Sequence, residues 1–150
     1  MCGIFGYCNY MVEKTRGEVM DTLVEGLSRL EYRGYDSTGI AVDGDEAEET
    51  LIIKQIGKVS ALKEEIKRVN PDRSTPLVNH AGIAHTRWAT HGPPSQINCH
   101  PQRSDPHNEF VIVHNGIITN FRELKTLLLN KGHVFESDTD TECIAKLFKH

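Results

Sequence analysis

Apolar residues in this chain switch repeatedly between the alternation of β-strands and the three-and-four spacing of amphipathic helices. This interleaving narrows the fold before any other feature does. Cys2 to Tyr10 is short, apolar and rich in Ile, Phe and Tyr, which predicts a strand partly covered on both faces, so the chain begins inside the fold. Residues 15–37 open with the capping-box pair Thr15/Glu18 and set Val19, Leu23, Leu27 and Leu30 on one stripe, with Gly34 as the expected helix stop. The run GIAVDGDEAEETLIIKQIG (39–57) reads as two strands around a solvated acidic tip, and SALKEEIKRV (60–69) as a helix ended by Asn70 and Pro71. Residues 72–79 read as a plain surface loop. GIAHTRWAT (82–90) and FVIVHNGII (110–118) are expected strands, separated by a Pro-rich loop and ending in polar residues where site chemistry often sits. NFRELKTLLLNKG has Asn120/Glu123 as its cap and Gly132 as C′, HVFES (133–137) is an expected strand, and residues 138–150 begin a helix capped by Thr139/Glu142. Strand pairs interspersed with helices predict a layered α+β architecture. The last helix meets no stop signal before His150, so a domain incomplete at its C-terminus is expected.

With 150 residues the chain fits one domain, or a substantial piece of a larger one, and needs no staple to bury a core. Its net charge of −4 gives no general attraction to nucleic acid or anionic membrane, so neither is an expected partner. Cys2, Cys8, Cys99 and Cys143 lack metal-ligand spacing, and the N-terminus lacks the basic segment of a secretory signal, so reduced thiols in the cytoplasm are expected. Eight histidines invite a zinc hypothesis, yet no pair reproduces HExxH or partners a CxxC set. No apolar stretch approaches the roughly 20 residues that span a bilayer.

Cys2 stands directly behind the initiator methionine. Removal of Met1 next to so small a side chain would give one residue both a nucleophilic sulfur and a free amine. An α-amine titrates at about 7.7–8.0 and a thiol at about 8.5, so the amine can take the thiol proton without a separate histidine. Taken alone, Cys2 reads more readily as the first residue of a buried strand. Asn115 and Gly116 offer a side-chain amide beside a backbone N–H that glycine leaves open, a donor pair suited to an oxyanion; the same dipeptide also makes tight turns. Arg87 offers a planar fork for a carboxylate. Trp88 and His91 could wall the same pocket, or sit respectively in the core and on the surface. Asp140 could face an ammonium, so that Arg87 and Asp140 together would grip a free amino acid by both ends, whereas Asp138 reads as a cap or dipole partner. Arg33 and Gly34 read as a helix-terminal cation and a C′ glycine, which is compatible with a place at the site. A papain-like hydrolase pairing Cys2 or Cys99 with a histidine is a second reading, and it would work with Met1 retained.

The segments MCGIFGY, LEYRGYDSTGIAV, GIAHTRWATHG, NCHPQRSD, VIVHNGIITN and ESDTDTE follow one another in this order. Over essentially the whole chain they closely resemble the N-terminal glutaminase domains of the eukaryotic, fungal-like glutamine–fructose-6-phosphate aminotransferase (isomerising) family, which are N-terminal-nucleophile class II amidotransferases. Other amidotransferases of that class share the leading Cys-Gly-Ile and the Asn-Gly, but not the EYRGYDS and HTRWATHG phrasing. The resemblance implies an α+β fold, a four-layer α/β/β/α N-terminal-nucleophile hydrolase sandwich of two antiparallel sheets with the C-terminal part of the domain missing here. It implies Cys2 as nucleophile with its own amine as base, Asn115 and Gly116 as oxyanion hole, and Arg33 with Gly34 supporting the nucleophile. It further implies Arg87 on the substrate carboxylate, Asp140 on its ammonium, and Trp88, Thr90, His91 and His100 around the pocket. The implied reaction hydrolyses L-glutamine to glutamate and ammonia with no metal or organic cofactor. Ammonia would then pass to sugar isomerase domains, absent from this sequence, that convert fructose 6-phosphate to glucosamine 6-phosphate in a homo-oligomeric full-length enzyme. A fragment without the remaining strands would leave edges and apolar faces open, so an inactive piece that at most binds glutamine is the non-enzymatic alternative.

Overall fold

A computed structural model describes residues 2–32, 34–44, 50–88 and 93–150. The chain runs through β1 (Gly3–Asn9), a two-residue β2 (Lys14–Thr15), α1 (Arg16–Leu30), β3 (Ser37–Asp43), β4 (Thr50–Ile56) and α2 (Val59–Val69). It continues through β5 (Pro76–Leu77), β6 (His80–Arg87), a single 3-10 turn at Gln96–Asn98, β7 (Gln102–Arg103), β8 (Val111–Ile112), α3 (Phe121–Asn130) and α4 (Thr141–Lys149). Four strands form one antiparallel sheet in the order β1-β6-β3-β4, with Gly3 and Thr38 both opposite Thr86 and Ile40 opposite Ile53.

One face of this sheet carries the main core. Val19, Met20, Leu23 and Leu27 of α1 and Val59, Leu62 and Ile66 of α2 close over Ile40, Val42, Ile53 and Ala84. Each of these side chains larger than alanine contributes about 1.5–3 kcal/mol by leaving water. The helix lies close enough that a Cβ on Gly26 would fall 2.4 Å from the Phe5 ring. The opposite face is covered by residues 96–101. A Cβ on Gly39 would meet the carbonyl oxygen of His100 at 2.1 Å, and the Lys54 ammonium donates to the carbonyls of Ile97, Cys99 and Pro101. With both faces covered, β3 is buried from Ser37 to Val42. Beyond that cover, α4 packs on the small β7–β8 pair and α3 packs on α4. The α+β architecture expected from the sequence is the one found. No helix among the described residues is long and apolar enough to cross a membrane.

The local signals at several helix ends take the expected form. Thr15 and Glu18 make a reciprocal capping box, with Glu18 N donating to Thr15 Oγ1 (3.2 Å) and Thr15 N to Glu18 Oε2 (2.8 Å). Asn70 ends α2 in the left-handed region at φ 50°. Gly132, at φ 87°, closes α3 in a Schellman motif, with His133 N donating to Leu128 O and Gly132 N to Leu129 O.

Other expectations need correction. Helix α1 ends at Leu30 rather than Gly34, because its last carbonyl finds other donors: Tyr35 Oη (3.0 Å) and the Tyr32 N–H (3.1 Å) both donate to Leu30 O. The Glu31 carboxylate that follows accepts Val59 N, the first N–H of α2 (2.9 Å). Asn120 makes no side-chain cap bond, and α4 takes Asp140 rather than Thr139 at its N-cap position. Residues 72–79 are more than a loop: Pro76–Leu77 pairs with Lys14–Thr15, and the carbonyls of Arg73 and Thr75 accept the N–H groups of Gly17 and Arg16, which open α1. Residues 133–137 form no strand. The N–H of His133 goes to Leu128 O and those of Glu136 and Ser137 to the Glu142 carboxylate, which withdraws these donors from a ladder. In 110–118 only Val111–Ile112 pairs, with β7, and the chain then leaves the ladder to place His114 and Asn115 at the cavity described next.

Candidate active site

Antiparallel pairing brings the start of β1 beside the end of β6, so Cys2 and Arg87–Trp88 share one end of the sheet. Gly3 permits this closeness. Its N–H donates to Thr86 Oγ1 (2.9 Å), and a Cβ would lie 2.8 Å from that oxygen and 3.0 Å from Leu30 Cβ. The half-buried Cys2 sulfur accepts the main-chain N–H of Trp88 at 3.1 Å.

The HNGI segment reaches the same place from 113 residues away. Asn115 Nδ2 donates to the Cys2 carbonyl (2.9 Å), and its Oδ1 meets Nε2 of His85 (2.8 Å). His85 precedes Arg87 by two residues on β6, so both side chains leave the same face of the sheet. The His85 ring lies tilted against that of His100, with centroids 4.3 Å apart. Burial dominates both imidazoles. It lowers His85 to about 4 despite the opposing hydrogen bond to the Asn115 oxygen, and together with the neighbouring His85 it lowers His100 to about 2, so both are neutral at pH 7.

These groups surround a cavity of about 420 Å³, within the range of small-ligand pockets. Cys2, Arg87, Trp88, His100, Asn115, Gly116 and Asp140 all line it, so seven of the sequence candidates converge. Arg87 is buried, its Nη1 3.8 Å from Asp36 Oδ1. Asp140 is buried and accepts the Ile118 N–H through Oδ2 (2.7 Å), which ties the start of α4 to the HNGI segment. Trp88 is half exposed, a pocket wall rather than core. Gly34 is exposed and does not itself line the cavity, and a Cβ there would meet nothing within 4 Å. Arg33, Thr90 and His91 lie outside the described residues.

Cys99 is fully buried, donates to Ser95 O (3.2 Å) and has its thiol pushed up by burial, so it is no accessible nucleophile. Among the described residues no imidazole hydrogen-bonds the Cys2 sulfur, so none of them serves a papain-like pair as its base. No cluster of His, Cys, Asp or Glu among them is arranged to hold a metal. A larger groove of about 1230 Å³ beside β4 contains the Arg103–Glu136 ion pair but, among the described residues, no cysteine.

Sequence reasoning missed His85, His114 and Thr141 on the cavity wall. The two-residue step from Arg87 was a usable signal for His85. No local signal joins His114 Nδ1 to Thr141 Oγ1 (3.2 Å), 27 residues apart.

Residues 52–150 match the family model described as a glutamine amidotransferase domain. The chain is 77% identical over its whole length to glutamine–fructose-6-phosphate aminotransferase (isomerizing) of Saccharomyces cerevisiae, covering 21% of that protein. It is 57% identical over 155 residues to glutamine–fructose-6-phosphate aminotransferase (isomerizing) 2 of Homo sapiens, covering 23%. It thus spans about a fifth of the length of these two curated relatives. Among solved structures, the glutamine phosphoribosylpyrophosphate amidotransferase of B. subtilis aligns with 97% of this chain and 29% of its own at a TM-score of 0.66 and 25% identity. An allosteric regulatory enzyme of purine biosynthesis aligns over the same shares at a TM-score of 0.71 and 26% identity. With the family model matched over well more than half its residues, the chain belongs to the glutamine amidotransferase domain family.

Proposed function

We propose that the chain hydrolyses L-glutamine at Cys2, releasing glutamate and ammonia. The observation that carries this reading is the convergence, on one cavity, of the Cys2 sulfur, the Asn115 amide, Arg87 and Asp140. After Met1 is removed, the Cys2 amine takes the thiol proton and the sulfur attacks the side-chain amide carbon of glutamine. The developing oxyanion accepts from Gly116 N–H and from the second hydrogen of Asn115 Nδ2, the first being held by the Cys2 carbonyl. The C–N bond breaks as the proton returns to the leaving nitrogen, and ammonia departs. Water, activated by the same amine, then hydrolyses the γ-glutamyl thioester. Arg87 binds the α-carboxylate and Asp140 the α-ammonium, Trp88 and His100 shape the wall, and Thr90, His91 and the Arg33–Gly34 pair complete the roles that the resemblance implies. No step calls for a cofactor.

In this reading residues 1–150 form part of a type-2 glutaminase domain whose ammonia aminates fructose 6-phosphate at isomerase domains, giving glucosamine 6-phosphate for hexosamine synthesis. The relatives' name, aminotransferase acting with glutamine and fructose 6-phosphate, supports it. The same reading places the protein in the cytoplasm as a homo-oligomer without nucleic-acid or membrane partners. The test is glutamate release by wild type and by Cys2→Ser. Cys2→Ser is expected to lose turnover while still binding glutamine; turnover surviving in that variant would refute the assignment.

A further inference from the structure

We propose that His85 is a positioning residue that fixes which end of the Asn115 amide faces the reaction. The proposal rests on the reading of Asn115 as an oxyanion donor. A side-chain amide has two ends of nearly equal shape and opposite hydrogen-bonding character, so an asparagine in an oxyanion hole has a failure mode that a backbone N–H lacks. Rotated by half a turn, it would aim an oxygen lone pair at the developing negative charge.

The contacts around Asn115 exclude the rotated state through a short chain of logic. The Cys2 carbonyl can only accept, so the Asn115 atom 2.9 Å from it must be the amide nitrogen. The other end, 2.8 Å from His85 Nε2, is then the carbonyl oxygen, which also can only accept, so His85 must carry its proton on Nε2. Were the proton on Nδ1 instead, Nε2 would become an acceptor and would pull the NH2 end toward itself, away from the sulfur. The tautomer of one buried imidazole therefore decides the polarity of the oxyanion site.

The surroundings hold His85 ready for this part. It is 1% exposed, with its ring against His100, whose own ring is 5% exposed, and burial keeps both uncharged across the neutral range. A neutral imidazole donates one hydrogen bond only, and here Nε2 supplies it. His85 touches no reacting atom in the mechanism above and acts only through Asn115.

The experiment combines a spectroscopic and a kinetic arm on the intact protein labelled with 15N-histidine. Long-range 1H–15N imidazole spectra are expected to show His85 neutral with its proton on Nε2 at pH 7; a proton on Nδ1 would overturn the proposal. In glutamine hydrolysis, His85→Ala is expected to lower kcat about 10- to 100-fold with KM changed less than about twofold, short of the roughly 10²- to 10³-fold of deleting a donor outright. His85→Gln, whose amide nitrogen can donate from nearly the Nε2 position, is expected to recover most of that rate. In an Asn115→Ala background His85→Ala should cost less than about threefold more, because its object is gone. An equal loss in both backgrounds, or no recovery by glutamine in a folded variant, would overturn the proposal. A wild-type protein that released no glutamate would sink the proposed function instead, and the tautomer would still decide the positioning claim.

Discussion

Replacing Gly39 by alanine links the packing of the sheet to the chemistry at its end. The added methyl carbon would stand 2.1 Å from the carbonyl oxygen of His100 and 2.8 Å from Lys54 Cβ, where ordinary contact begins at 3.4 Å. The His100 carbonyl would have to retreat by about 1.3 Å to reach normal van der Waals separation. It is poorly free to do so. Lys54 Nζ grips the carbonyls on either side of it, Cys99 at 3.1 Å and Pro101 at 3.3 Å, and Gln102 Nε2 holds Cys99 again at 2.9 Å. Strain that cannot relax belongs at the upper end of the overpacking range, about 3 kcal/mol. The same shift carries the His100 ring away from His85 and loosens the His85–Asn115 bond, and a misplacement of about 1 Å in such a constellation can cost roughly 100-fold in rate. Urea unfolding and kcat for glutamine hydrolysis measure the two effects. Gly6→Ala serves as control: it lies on the same sheet with its nearest neighbour 3.9 Å from the new carbon, and should be within about 0.5 kcal/mol of wild type. A Gly39→Ala protein with wild-type stability and wild-type kcat would refute the reasoning.

Glu142 is 1% exposed, accepts the N–H groups of Glu136 and Ser137 and the Ser137 hydroxyl, and pairs with the buried Lys146 at 3.1 Å. Glu142→Ala should therefore cost about 3–5 kcal/mol in urea unfolding, with part recovered by adding Lys146→Met, because the stranded ammonium is the main penalty. Stability should also fall with pH. Burial depresses His85 to about 4 and His100 to about 2, so between pH 6.5 and 4 the unfolded chain binds protons that the folded one refuses. Their contribution is complete above pH 6.5 and is lost progressively as pH falls below it. The unfolding free energy should drop by roughly 2 kcal/mol from pH 7 to 5.5, and His100→Gln should remove about half of that drop; a flat profile over this window would contradict the burial of both rings.

What the sequence made legible was local. Thr15 with Glu18, Asn70 and Gly132 each act within one turn of their own position, and each ends or begins a helix as read. Strand expectations fared differently because a strand is completed by a partner elsewhere. HVFES reads as a strand, yet two of its N–H groups find the Glu142 carboxylate, and FVIVHNGII finds a partner for only two residues. Gly34 misled for a related reason: the last carbonyl of α1 is answered by Tyr35 from the following segment, so no left-handed glycine is needed. At the site, the residue types could be chosen from their chemistry, and Cys2, Arg87, Asn115, Gly116 and Asp140 do meet. Their meeting depends on the β1–β6 register, which no short segment encodes. The hold of His85 on Asn115 emerged only once β6 and the HNGI segment, 30 residues apart at that contact, were brought together.

The account turns on Cys2 serving as an N-terminal residue. Mass spectrometry of the purified protein after exposure to an electrophilic glutamine analogue tests this most directly, with activity followed in parallel. The expected result is a chain lacking Met1 that gains a single adduct on Cys2 as glutamine hydrolysis disappears in step. A chain that keeps Met1, or has its terminal amine blocked, and still hydrolyses glutamine at the same rate would contradict the account.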